Sequence, residues 1–373
     1  MRKLSPIFFI VTVLFLSVSC DKEDETLLEI PTTYAYERDG QSSVDYQDMT
    51  DLLDMLGELD SYMKTTRSLG TIVEANVLQD MFDNSGANVS LKNYCYNISE
   101  SIFTTWMSAM ATSSQLNQNA SPGVAGHLNE EYPAAGTSES SGYLVDENGI
   151  EYHQIIAKGL MGAALFYQAN EVSFSDSGLG ADNDAVVAGK NYTALEHQFD
   201  AAFACFGVPN DFPTNTDDVR FWGKYCNARN NDADEFAYPT MNDDIMQAFL
   251  KGRAAIVAKN DEKLNEAIQT IQEKWAIVIA STAANYLSIS LSSTGVATYK
   301  KHHQLSEAIA FMMALEYHFD NGSSKFEPNY DFSAIGNALS IIGLSTNLYE
   351  VDDTDIEATI AAIQSAFPAG TIQ

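Results

Sequence analysis

Residues 151–169 read EYHQIIAKGLMGAALFYQA, and this stretch decides the fold class. Ile155, Leu160, Leu165 and Phe166 recur at helical spacing, so one stripe of the segment is apolar. Gly159, Gly162, Ala163 and Ala164 lie among them, small side chains that let a neighbouring helix approach closely. An alternating strand pattern is missing, and the same periodicity recurs on both sides.

Upstream, Leu52, Leu53, Leu56 and Leu59 fall in helical register within 51–62, and helices are predicted over 73–82 and 98–116. Downstream, the spacing predicts helices over 192–206, 219–228, 242–259, 262–291, 296–320, 332–342 and 355–367. Gly207 and Pro209 stop the first of these in the usual way. Residues 119–149 and 171–190, rich in Gly, Ser, Asn and Asp, read as long loops. Short strands fit only near Tyr34–Tyr36 and Gly142–Val145. The expectation is an all-α protein of bundle type over 31–373, as one bundle or two packed together.

The N-terminus carries a different message. Arg2 and Lys3 precede an apolar run, Ile7 to Leu16, of about ten residues, half of what a bilayer span needs. The run ends in Leu16-Ser17-Val18-Ser19-Cys20, small residues leading into a cysteine. Residues 1–19 therefore read as a lipoprotein signal peptide, with Cys20 as the lipidated residue and 20–30 as a tether. Ser17 stands where such a motif usually has Leu. Asp21-Lys22-Glu23-Asp24 resembles the Lys-acid-acid tag of surface-exposed lipoproteins, and equally reads as a solvated linker. The expected location is the outer membrane, lipid-anchored and facing outward.

Composition narrows the partners. The whole chain has a formal net charge of −31. Removing 1–19 leaves 18 basic against 51 acidic residues, a net charge of −33. Such a charge excludes nucleic acid and anionic lipid faces as partners and permits cations. With 45% hydrophobic and 11% aromatic residues the chain is globular. After lipidation only Cys95, Cys205 and Cys226 remain, allowing at most one internal disulfide and no zinc or redox CxxC.

Two of the six histidines sit in apolar helices beside acids. Glu196, His197 and Asp200 share much of one helix face, and His303 and Glu307 are one turn apart on another. The segments His197-Gln198-Phe199 and His303-Gln304-Leu305 echo one another about a hundred residues apart, which suggests duplication or chance. Imidazoles and carboxylates converging from several helices are how bundles hold metals. Glu196, His197, Asp200, His303 and Glu307 are thus the candidate ligands of a divalent metal such as iron. Glu151, Gln154 and Lys158, on one face of a third helix, would complete the pocket. The competing reading is a structural network, in which Glu151 pairs with Lys158 or Arg253 and His197 bonds Asp200. Buried carboxylates need a positive counterpart, whether a metal, Arg253 or protonated imidazole. Asp182-Asn183-Asp184 lacks the remainder of a calcium loop and reads as a turn. No hydrolytic or phosphate-binding motif is found.

The blocks YAYERDGQSSV (34–44), EYHQIIAKGLMGAA (151–164), YTALEHQFDAAFACFG (192–207), FWGKY (221–225) and GRAAI (252–256), with Ser306–Ala308, resemble the domain of unknown function 4856, a family of Bacteroidota lipoproteins. The resemblance implies a role beside imelysin-like proteins and TonB-dependent receptors in iron or other metal acquisition. This chain has Phe199, Ala201 and Cys205 where the family tends to have Trp, Glu and Tyr, so Ala201 removes one candidate carboxylate. Gly149-Ile150-Glu151-Tyr152-His153-Gln154 is loosely similar to the Gly-x-His-x-x-Glu motif of imelysins, which implies paired helical bundles.

The leading expectation is a non-enzymatic accessory lipoprotein for metal uptake. The first alternative is a glycan- or peptide-binding lipoprotein partnering an outer-membrane receptor, with Tyr132, Tyr143 and Tyr152 lining an exposed groove. The second is an imelysin-like peptidase.

Overall fold

The computed structural model describes residues 28–84, 89–129, 142–231, 235–291, 298–319 and 326–373. The expected leader, Cys20, most of the expected tether and Tyr132 lie outside the described residues. Thirteen α-helices account for most of what is described, so the protein is predominantly all-α.

The chain enters through a two-residue hairpin, β1 (Glu37–Arg38) with β2 (Gln41–Ser42), just beyond the expected Tyr34–Tyr36. Asp39 and Gly40 turn it with positive φ. Helix α1 (Gln47–Lys64) buries Met49, Leu52, Leu53, Leu56, Leu59 and Met63, the stripe expected of a core-facing amphipathic helix. After α2 (Ala75–Asp83) and the short α3 (Leu91–Tyr94), helix α4 (Glu100–Ser114) turns Phe103, Met107 and Met110 inward. The long loop then departs from expectation: β3 (Gly126–Asn129) pairs antiparallel with β4 (Gly142–Val145), Leu128 opposite Tyr143.

The decisive stretch begins as α5 (Tyr152–Leu160) and continues with wider, π-type winding over Met161–Phe166 and Gln168–Ser173. Its small residues do admit close neighbours. A Cβ on Gly162 would come within 2.7 Å of Ala314 Cα, and one on Gly159 within 2.9 Å of the Phe103 ring. The rewound turns offer carbonyls to outside donors: Trp222 Nε1 donates to Met161 O at 3.0 Å and the Tyr96 N–H to Ala163 O at 2.9 Å.

Beyond the short α6 (Asp176–Leu179), α7 (Ala194–Phe206) opens with a Thr193/Glu196 capping box and closes on Gly207 at φ 81°. Helices α8 (Phe221–Arg229) and α9 (Met241–Val257) lead to α10 (Asp261–Leu291), whose 31 residues run about 46 Å. Helices α9, α10 and α11 (Thr298–Leu315) pack in sequence, and α5 lies on α11. Helices α12 (Phe332–Ile341) and α13 (Asp353–Ser365) close one side of α10 and α11. The buried apolar side chains form one continuous core from Tyr34 to Ile372, centred on Trp222, Trp275 and Phe206. Cys95, Cys205 and Cys226 are buried free thiols, and burial pushes Cys95 and Cys205 up to about 12.

Candidate functional site

The five candidate ligands are not brought to one place. Glu196 and Asp200 lie in one polar network, His303 and Glu307 in another, and His197 stands beside the first.

The first is built on Arg253 of α9, fully buried. Its Nε donates to Asp200 Oδ1 at 2.9 Å, Nη1 to Glu196 Oε1 at 2.9 Å, and Nη2 to the Ser43 carbonyl at 3.0 Å. Arg38 of β1 grips Glu196 with both terminal nitrogens, at 2.8 and 2.9 Å. The Tyr34 hydroxyl and the Asp45 N–H complete Asp200 at 2.8 and 3.2 Å. Two guanidiniums thus face two carboxylates, and the charge closes without a metal. Burial pushes Asp200 up to about 6 despite Arg253 and Tyr34, whereas Arg38 and Arg253 outweigh burial at Glu196 and hold it below its ordinary value.

His197 takes no part in that exchange and does not bond Asp200. Its Nδ1–H donates to the Asp45 carbonyl at 2.7 Å, and its ring stacks on Tyr192 at 4.7 Å. A carbonyl can only accept, so Nδ1 carries a proton, and in the singly protonated tautomer the lone pair is on Nε2.

The second network lies where α5 meets α1, α11 and β4. It is an alternating row of acids and imidazoles. Asp60 of α1 accepts from His153 Nε2 at 2.9 Å, and His153 Nδ1 stands 3.5 Å from Glu151 Oε1. Glu151 Oε2 accepts from His303 Nδ1 at 2.6 Å, and His303 Nε2 faces Glu307 Oε1 at 3.4 Å. Gln154, with its amide oriented to satisfy both ends, donates to Glu307 Oε1 at 3.0 Å and accepts from Arg67 at 3.3 Å and His153 at 3.2 Å. Ser306 Oγ accepts the Glu151 N–H at 2.9 Å, which pins the start of α5 to α11. Gly149 (φ 83°) lets the chain enter there; a Cβ would stand 2.3 Å from the His302 ring.

The electrostatics here do not close. Neither Glu151 nor Glu307 makes an ion pair with a Lys or Arg among the described residues. Lys158 does not reach Glu151: its ammonium sits over Tyr225, 5.6 Å from the ring centroid. Burial pushes Glu151 up, but hydrogen bonds from His153 and His303 outweigh it and carry the carboxyl down to about 2. Burial pulls His153 down, and Asp60 and Glu151 more than reverse it. Tyr143, pushed up by burial and then by Glu151, reaches about 12, and Glu307 adds to the burial that raises Tyr225 and Tyr286. Glu307 Oε2 is buried without a hydrogen-bond partner. Among the described residues no three His, Cys, Asp or Glu side chains stand ready to hold a metal ion.

Tyr143 of β4 roofs the network, stacked on His303 at 4.4 Å and 7°, with the Arg67 guanidinium 5.3 Å from its own ring centroid. Tyr152 is buried, its hydroxyl accepting from Ser113 at 3.3 Å. These two tyrosines do not form an exposed platform. Asp182–Asp184 is a turn, in which Asn183 bonds the Ile256 carbonyl and Thr193.

The residues missed from sequence are Arg38, Asp60, Arg67 and His153. His153 carried a signal, two positions from Glu151; Asp60 reads in sequence only as the wet side of α1.

An all-α protein with a buried acid–imidazole row is thereby defined. A family model described as a domain of unknown function (DUF4856) matches residues 31–355, and the chain belongs to that family. No curated protein and no solved structure gives a significant match.

Proposed function

We propose that the protein is a surface-exposed outer-membrane lipoprotein, anchored through Cys20, and a non-enzymatic accessory factor in metal acquisition, working beside a TonB-dependent receptor. The reading places its divalent cation at His303 and Glu307. One observation carries it. Glu151 Oε2 accepts a hydrogen bond from His303 Nδ1–H, and in the singly protonated ring this leaves the Nε2 lone pair facing Glu307 Oε1, 3.4 Å away. Two acceptors face to face need a proton or a cation between them, and beyond them the carboxylate has the Gln154 amide and the Tyr286 hydroxyl against it but no Lys or Arg among the described residues.

The donors suit a borderline divalent ion such as iron, zinc or manganese. His303 Nε2 and the Glu307 carboxylate would hold it, and Glu151 would orient the imidazole as a carboxylate does behind a metal-bound histidine. With two protein ligands, the other positions fall to water. Glu196 and Asp200 are omitted because Arg253 and Arg38 already answer them.

The test is calorimetric titration of the protein, purified without chelators, with manganese, ferrous iron and zinc. Heat of binding is expected from the wild type and from His197→Ala, and its loss from His303→Ala and Glu307→Gln. Equal heats from wild type and Glu307→Gln would remove the site and leave a proton-bridged network. Anchoring is tested separately. Cys20→Ala should abolish palmitate labelling and release the protein from membranes; continued labelling would defeat it. Among the described residues no helix is long and apolar enough to cross a membrane.

A further inference from the structure

A concavity lies beside His197, where α1 begins and α7 meets the π-wound segment. It has a volume of about 150 Å³ and is bordered by Tyr46, Asp48, Tyr94, Gln168, His197 and Gln198. A larger one of about 320 Å³ shares Tyr46 with it. None of the side chains bordering the smaller cavity is a Lys or Arg. Three of its side chains offer acceptors, beside the hydroxyls of Tyr46, Tyr94 and Ser173 and the Gln198 amide. The Nε2 lone pair of His197 is free because Nδ1 is committed to the Asp45 carbonyl. Gln168 spends its N–H on the Tyr94 carbonyl at 2.8 Å, which leaves its own oxygen available. Asp48 contributes a carboxylate on the exposed rim, close enough that, after burial, it helps push the Tyr94 phenol up. Tyr46 and Tyr94 line it with aromatic rings.

From these features we infer that the cavity is a binding site for a small organic ammonium, a primary amine or amino sugar. A ligand that brings donors finds acceptors in His197, Gln168 and Asp48. A positive charge is met by Asp48 and by aromatic faces, which attract cations at close range. An anion would meet Asp48 and a field set by a net charge of −31. The site shares no residue with the proposed cation site at His303, so either can fail without the other.

The test compares glucosamine with glucose, which differ at one carbon by an ammonium in place of a hydroxyl, by calorimetry on the whole protein with chelator present. Glucosamine should bind saturably and about ten-fold more tightly than glucose. Asp48→Asn, an exposed substitution checked by an unchanged melting curve, should weaken glucosamine by a similar factor and leave glucose unaffected. Equal affinity for the two sugars, undiminished glucosamine binding by Asp48→Asn, or no saturable binding by glucosamine would each overturn the assignment.

Discussion

The two networks use the same raw material and reach opposite ends. Each has a histidine in the sequence shape His-Gln-apolar and an acid one turn along. Around Arg253, two guanidiniums meet Glu196 and Asp200, and every charged atom named there has a partner. Around His303, the described residues answer Glu151 and Glu307 with imidazoles, an amide, the Tyr286 hydroxyl and, at one remove, Arg67, with no direct Lys or Arg. A closed network of fixed charges fixes the fold, whereas an open one depends on something mobile, a proton or a cation. The difference rests on whether an arginine reaches the carboxylates.

The largest test of that contrast is to remove the arginine. Arg253→Leu strands the buried Asp200, while Arg38 still holds Glu196, and should cost about 3–5 kcal/mol of unfolding free energy, measured in urea. Glu307→Gln, which removes a charge with no ion-pair partner among Lys and Arg, should change stability by no more than about 1 kcal/mol. Similar losses from the two would erase the distinction.

A smaller effect lies in pH. Glu151 is carried from an ordinary 4.5 down to about 2. A carboxyl lowered by folding stabilises the fold above its unfolded value and loses that contribution as pH falls through the folded one. Between pH 4.5 and 2 the wild type should therefore surrender on the order of 3 kcal/mol that Glu151→Gln lacks. His153 works in reverse: raised by folding from 6.5, it stabilises below that value and the contribution fades as pH rises. Parallel acid limbs for wild type and Glu151→Gln would show that the row does not titrate as a unit.

The smallest concerns the roof. Tyr143→Ala removes the stack on His303 and should cost about 1 kcal/mol beyond the buried area lost. A double-mutant cycle with His303→Ala measures that coupling, and a value near zero would detach β4 from the site.

The helical frame was legible because burial follows the helical period in α1, at Met49, Leu52, Leu53, Leu56, Leu59 and Met63. The wider winding after Leu160 was not, since a run such as Met161-Gly162-Ala163-Ala164 suits either helix and the outcome depends on Trp222 and Tyr96 reaching its carbonyls. Hairpin β3–β4 was half legible, through Gly142–Val145 alone. At the sites, helical spacing correctly put Glu196 near Asp200 and His303 near Glu307, because a face is a local property. Which face meets which is not local, so the His197–His303 echo suggested a meeting that does not occur. The demand for a positive partner, Arg253 among the choices, was legible from the cost of burying charge alone.

Arg253 reaches the Ser43 carbonyl across 210 positions of chain, and Arg38 and Tyr34 join it from the same N-terminal segment. This imposes an order of assembly. As the chain is synthesised, residues 34–45 emerge early and wait, and Glu196 and Asp200 appear with only Arg38 to answer them. The clasp closes when residue 253 arrives, the long loop adding only logarithmically to its entropic cost. A chain cut short before that point leaves Asp200 without its arginine, so the same contact that anchors the N-terminus also registers that the polypeptide is complete through α9.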